Sequence, residues 1–84
     1  LAAVCAILAR DAGLPLALQL LITPGTAAAP TSGSHRTYAS GYLLEADGIE
    51  WFFAHYATPE ERRDWRFAPL EAGDLTGVAS ACVL

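Results

Sequence analysis

Gly41 to Tyr56 reads GYLLEADGIEWFFAHY. Within it Ile49, Phe52, Phe53 and Tyr56 stand at i, i+3, i+4 and i+7, so one face of a helix carries four large apolar or aromatic side chains. Trp51 and His55 form a second i, i+4 pair on a flank of the same helix. The helix is expected from about Ala46 to Tyr56. Gly48 lies inside it and costs about 1 kcal/mol relative to Ala, so the first turn is expected to be weak. Such a stripe needs a surface to cover, and the flanking chain must supply it.

Before this helix, Leu1 to Ala12 has the alanine content and the spacing of Leu1, Val4, Ile7 and Leu8 that define a helix, apolar almost all round. Arg10 suits its C-terminal dipole and Gly13 suits a left-handed C′ position. Leu16 to Ile22, LALQLLI, then reads as a strand with two apolar faces. Leu16, Leu18, Leu20 and Ile22 share one face; Ala17, Gln19 and Leu21 share the other. That pattern belongs to a central parallel strand covered on both sides. Thr23-Pro24-Gly25 ends it, and Thr26 to Ser40 reads as loop.

After the aromatic helix, Thr58-Pro59-Glu60-Glu61 combines an N-cap, Pro at N1 and Glu at N3, a capping box that starts a short helix through about Arg63. Asp64 to Leu70 is irregular, with Pro69 excluding a helix interior, and Glu71 to Gly77 is a polar turn region. Val78 to Leu84 is a short apolar strand. The divisions are therefore helix and strand over 1–23, loop and helices over 24–77, and strand over 78–84. Two buried strands joined by a long excursion make a parallel α/β unit.

The 84 residues are 54% apolar and 17% charged, rich for so short a chain, so much of it is expected to be buried against something it does not include. The net charge of −4 and the lack of any Lys exclude an electrostatic nucleic-acid binder. Arg62, Arg63 and Arg66 lie among Glu60, Glu61 and Asp64 and read as an ion-pair patch. Cys5 and Cys82 read as free, buried thiols rather than a disulfide. Leu1 to Ala9 is too short to span a bilayer and lacks a basic leader, so the expectation is a cytoplasmic protein without membrane contact.

No catalytic motif stands in these residues. Ser32, Ser34, Ser40 and Ser80 lack the flanking glycines of a nucleophile elbow. His35, beside Ser34, reads as a solvated loop histidine, because sequence neighbours rarely present their side chains to one another as nucleophile and base. His35 and His55 lack metal-ligand spacing, and no glycine pattern cradles a phosphate, so no metal or cofactor is expected. Glu45, Asp47 and Glu50 serve the helix dipole.

The chain resembles the hormone-sensitive-lipase-like branch of the α/β-hydrolases over nearly its whole length. LAAVCAILARDAGLPLALQLLITPGT is similar to the helix after the nucleophile elbow followed by the sixth strand. SHRTYASGYLL and WFFAHY resemble the excursion that forms part of the substrate-covering cap. DWRFAPL is similar to the D-P-R-x-S-P-L segment, and DLTGVASACVL to the D-L-x-G-L-P-P-A-L-V-I run into the seventh strand. Ala27 departs from the usual Asp, Thr23 from Tyr, Ala68 from Ser, Glu45 from Thr, and Val78-Ala79-Ser80 from L-P-P.

The resemblance implies an internal fragment of an α/β-hydrolase that cleaves short-acyl carboxylic esters with a Ser-Asp-His triad. Every catalytic residue, and the oxyanion motif, would lie outside these 84 residues. It also implies that Leu44, Ile49, Phe52 and Phe53 wall the acyl pocket and bind the small-molecule ester. A core face needs the same residues, so pocket wall and ordinary core both stand. Two alternatives also stand: a non-catalytic interaction module docking through its aromatic helix, and an inactive remnant of a hydrolase.

Overall fold

The computed structural model describes residues 1–29 and 31–84. Helix α1, Ala2–Asp11, packs on strand β1, Gln19–Leu21. A short helix α2, Gly33–Thr37, and the aromatic helix α3, Ala46–Tyr56, follow. Two 3₁₀ turns, Glu61–Arg63 and Pro69–Glu71, lead to strand β2, Ala81–Val83. β1 and β2 pair in parallel, with Gln19 opposite Ala81, Leu20 opposite Cys82 and Leu21 opposite Val83.

α1 ends in a full Schellman motif. Gly13 sits at φ +68°, its N–H donates to Arg10 O at 3.0 Å, and the Leu14 N–H donates to Ala9 O at 2.8 Å. Arg10 does more than complement the dipole. Its Nη1 donates to Asp74 O at 2.6 Å and to Thr76 O at 3.0 Å, fastening the helix end to the segment that feeds β2. Gln19 adds a second tie, its Nε2 donating to Ala79 O at 2.7 Å.

The core is small: Val4, Ala6 and Ile7 of α1, with Ala68 and Pro69 from the second turn. The radius of gyration is 14.4 Å, against about 12 Å for a compact domain of this length. Correspondingly, Leu16, Leu18, Leu20 and Ile22 along β1 are exposed, and no residue of α3 is fully buried. The apolar excess of the sequence is therefore surface in this chain, as a strand patterned for cover on both faces requires.

Several expectations are corrected. Cys5 and Cys82 are free but exposed, not buried. α1 turns Val4, Ala6 and Ile7 inward, leaving Leu1, Cys5 and Leu8 as a second, uncovered face. Thr26 to Ser40 is not all loop: Ser32 caps α2, and its hydroxyl accepts from the His35 N–H at 3.4 Å. The strands are shorter than their apolar runs, because only three residues of each find a ladder partner. The helix placed after Thr58 is one 3₁₀ turn, and Pro69 opens another rather than standing in irregular chain. The Thr58–Glu61 box itself forms: Glu61 Oε2 accepts from the Thr58 N–H at 2.8 Å and its hydroxyl at 2.9 Å, while the Glu61 N–H donates back to Thr58 Oγ1 at 3.3 Å.

Candidate substrate-binding site

The GYLL turn places the aromatic helix. Gly41 at φ +83° reverses the chain, and the Ala46 N–H closes the loop on Ala39 O at 2.9 Å. Glu45 stands at the N-cap of α3 without capping it. Its Oε1 instead accepts from the Gly41 N–H at 2.8 Å, pinning the turn from inside. At the other end Arg62 holds the helix. Its Nη1 lies 2.8 and 3.0 Å from the two Glu50 carboxylate oxygens, its Nε donates to Ala57 O at 3.2 Å, and its guanidinium carbon stands 5.6 Å from the Phe53 ring centre. The basic cluster is thus an ion-pair patch, but its main partner comes from α3. Arg66 pairs locally with Asp64 at 2.7 Å.

So oriented, α3 divides its stripe. Ile49 and Phe53 are half-buried, while Phe52 and Tyr56 remain exposed. Phe53 meets Phe67 edge to face at 5.0 Å, and Tyr56 approaches the same ring at 5.8 Å. The Trp51–His55 pair forms as its spacing implies, rings 4.1 Å apart, with His55 Nδ1 2.8 Å from Trp51 O.

Leu44, Ile49, Phe52 and Phe53 line one concavity of about 380 Å³ together with Thr23–Ala27, the segment leaving β1, and with His35. Its place is the one that open α/β sheets use for ligands, beyond the carboxyl end of a strand. A neighbouring concavity of about 430 Å³ lies between α2 and α3 and shares His35, Leu44, Ile49 and Phe53. The walls are predominantly apolar, as suits a site that receives hydrocarbon. Thr23, at the lip, holds φ +42°, an outlier for a β-branched residue, and its N–H donates to Leu84 O at 2.8 Å. The four side chains named from the sequence meet at this concavity, whereas Thr23–Ala27 and His35, which also line it, were not among the residues the sequence singled out for it. The signal was Thr23-Pro24-Gly25, which stops an apolar strand where such sites form.

The shifted carboxyls lie outside these walls. The Arg66 guanidinium, followed by the Arg66 backbone N–H, lowers Asp64 to about 2. The Thr58 N–H and hydroxyl lower Glu61, and the Thr76 side chain and N–H lower Asp74. These shifts favour the carboxylate and mark capped turns, not a general acid. Among the described residues no group of three or more His, Cys, Asp or Glu side chains could hold a metal ion, and no helix is long and apolar enough to cross a membrane.

A parallel strand pair with a helix packed on it, and an apolar concavity at the carboxyl end of β1 bordered by α3, is an arrangement of α/β folds. The family model described as the alpha/beta hydrolase fold matches residues 1–84, and the chain belongs to that family, in its hormone-sensitive-lipase-like branch. It is 46% identical over 68 residues to the ethyl acetate hydrolase of Pseudomonas putida, covering 80% of this chain and 21% of that protein. A thermostable esterase from Pseudomonas putida superposes with a TM-score of 0.88 at 34% identity, over 96% of this chain and 27% of its own. An α/β-hydrolase from the metagenome of Lake Arreo, Spain, superposes at 0.81 with 37% identity, over 94% of this chain and 26% of its own. The chain thus spans about a quarter of the length of these relatives.

Proposed function

We propose that these 84 residues are the acyl-shaping part of a serine carboxylic-ester hydrolase acting on short-acyl esters, an internal stretch of its α/β-hydrolase domain. The observation that carries this is the convergence of Leu44, Ile49, Phe52 and Phe53 on the concavity beyond β1. Ile49 and Phe53 stand one turn apart and narrow it, so that a short acyl chain fits and a long one meets the Phe53 ring. At about 380 Å³ the space is near the lower end of ligand pockets, which run from about 300 to 1,000 Å³. In this reading the nucleophile, its base and the oxyanion donors come from parts of the enzyme that the chain does not span. The chain's own work is binding and water exclusion: an apolar wall gains free energy from the acyl methylenes, about 0.8 kcal/mol for each one buried. Placement in the cytoplasm belongs to the same proposal, and cell fractionation tests it.

The acyl-length profile of the full-length enzyme is the test. Phe53→Ala should move the preferred p-nitrophenyl ester to longer chains, whereas an unchanged profile would make the stripe ordinary core. The docking-module alternative has the exposed edge of Trp51, Phe52 and Tyr56 in its favour. Exposed apolar groups are not confined to that edge, however. They run along β1, the outer face of α1 and β2, which suits a chain covered by the rest of a larger domain.

A further inference from the structure

Both concavities share one ring that the acyl-wall reading leaves without a task. His35 borders the space beyond β1, where the other polar side chains are the hydroxyls of Thr23 and Thr26, and it borders the space between α2 and α3. Its orientation is fixed from one side. Ser32 Oγ lies 2.6 Å from Nδ1 and 2.8 Å from Ser34 Oγ, and it accepts from the His35 N–H at 3.4 Å. Two proton arrangements satisfy this chain. Ser34 can donate to Ser32 and Ser32 to Nδ1, leaving Nε2 protonated; or Nδ1–H can donate to Ser32 and Ser32 to Ser34, leaving Nε2 as an acceptor. Either way Nδ1 is occupied, and Nε2 is the ring nitrogen left for a ligand.

The other charged groups around the second space are engaged elsewhere. Arg36 donates to Thr31 O at 2.8 Å, and Glu50 is held by Arg62. A hydroxyl both donates and accepts, so it matches Nε2 in either arrangement, whereas a keto or ether oxygen matches only one. We propose that His35 is a specificity-determining residue that selects esters bearing a hydroxyl on the acyl chain. The inference rests on the acyl-wall reading above. Sequence adjacency to Ser34 concealed this role, because the working partner of the ring is Ser32, three residues back across the first turn of α2.

The test compares two esters of nearly equal shape, methyl 3-hydroxybutanoate and methyl 3-methylbutanoate, in the full-length enzyme. A neutral hydrogen bond at such a site gives about fivefold in kcat/KM, and a bond present from the ground state onward acts through KM. His35→Leu should lower the hydroxyl-to-methyl ratio of kcat/KM by about fivefold, through KM. His35→Gln, whose amide also donates and accepts, should keep most of the ratio. Ser32→Ala, which releases the ring, should lower it by less. An unchanged ratio in His35→Leu overturns the proposal. If Phe53→Ala nonetheless shifts the acyl-length profile, only the His35 role falls; if neither variant acts, the acyl-wall reading falls with it.

Discussion

Arg10 joins the C-terminus of α1 to the approach of β2 across more than sixty residues, and its removal is the sharpest perturbation of the framework beneath the site. Two guanidinium bonds to the Asp74 and Thr76 carbonyls, at 2.6 and 3.0 Å, would each contribute about 1.5–3 kcal/mol if dry. They are not dry. The Arg10 side chain is 25% exposed, and both carbonyls belong to exposed residues, so water replaces much of what is lost. The pair with Asp11 is a surface contact between neighbours and adds little. Arg10→Ala should therefore destabilise by about 1–2 kcal/mol, read as a lower urea midpoint at unchanged slope for the full-length protein. Arg10→Lys should recover about half, because both carbonyl bonds leave the single nitrogen Nη1, which a more strongly hydrated ammonium replaces only in part, while the Nε bond to Asp11 is lost. A loss below about 0.3 kcal/mol in Arg10→Ala, within ordinary surface variation, would refute the reasoning. So would a Lys variant as stable as the parent.

Other expectations follow from single contacts. Thr58→Ala removes one half of a reciprocal cap and should cost about 1 kcal/mol in chemical denaturation. Gly13→Ala and Gly48→Ala should differ in sign: a Cβ at either meets nothing within 4 Å, but Gly13 holds φ +68° while Gly48 lies in α3. The first should lose about 1 kcal/mol and the second gain up to about 1 kcal/mol. Asp64, held at about 2 by Arg66, contributes stability that is present above its ordinary value of 3.8 and lost as the pH falls through about 2. Its carboxyl ¹³C shift should titrate near that lower value and return toward the ordinary one in Arg66→Ala; equal midpoints in both proteins would remove the ion pair from the account. The purified 84-residue chain should not turn over p-nitrophenyl acetate above a boiled control.

The aromatic helix was legible to the residue, because its apolar period, the GYLL turn before it and Thr58-Pro59 after it agree with one another. The parallel pairing was legible too, since two apolar strands joined by so long an excursion have little alternative. α2 was not, because five residues present no apolar period; its one signal was Ser32 as a cap. The exposure of Cys5 could not be read from α1, where two faces are equally apolar and only packing selects Val4 and Ile7. The four side chains proposed for acyl binding were readable as a stripe and a turn. The backbone wall of Thr23–Ala27 was not, because it is set by how α3 folds back over the end of β1.

The central claim is that α3 faces substrate rather than protein, and a structure of the full-length enzyme inhibited by an n-butyl phosphonate ester tests it most directly. The account predicts the butyl chain within about 4 Å of Leu44, Ile49, Phe52 and Phe53, beyond the end of β1. A butyl chain lodged elsewhere, with those four side chains packed against other parts of the protein, would contradict it.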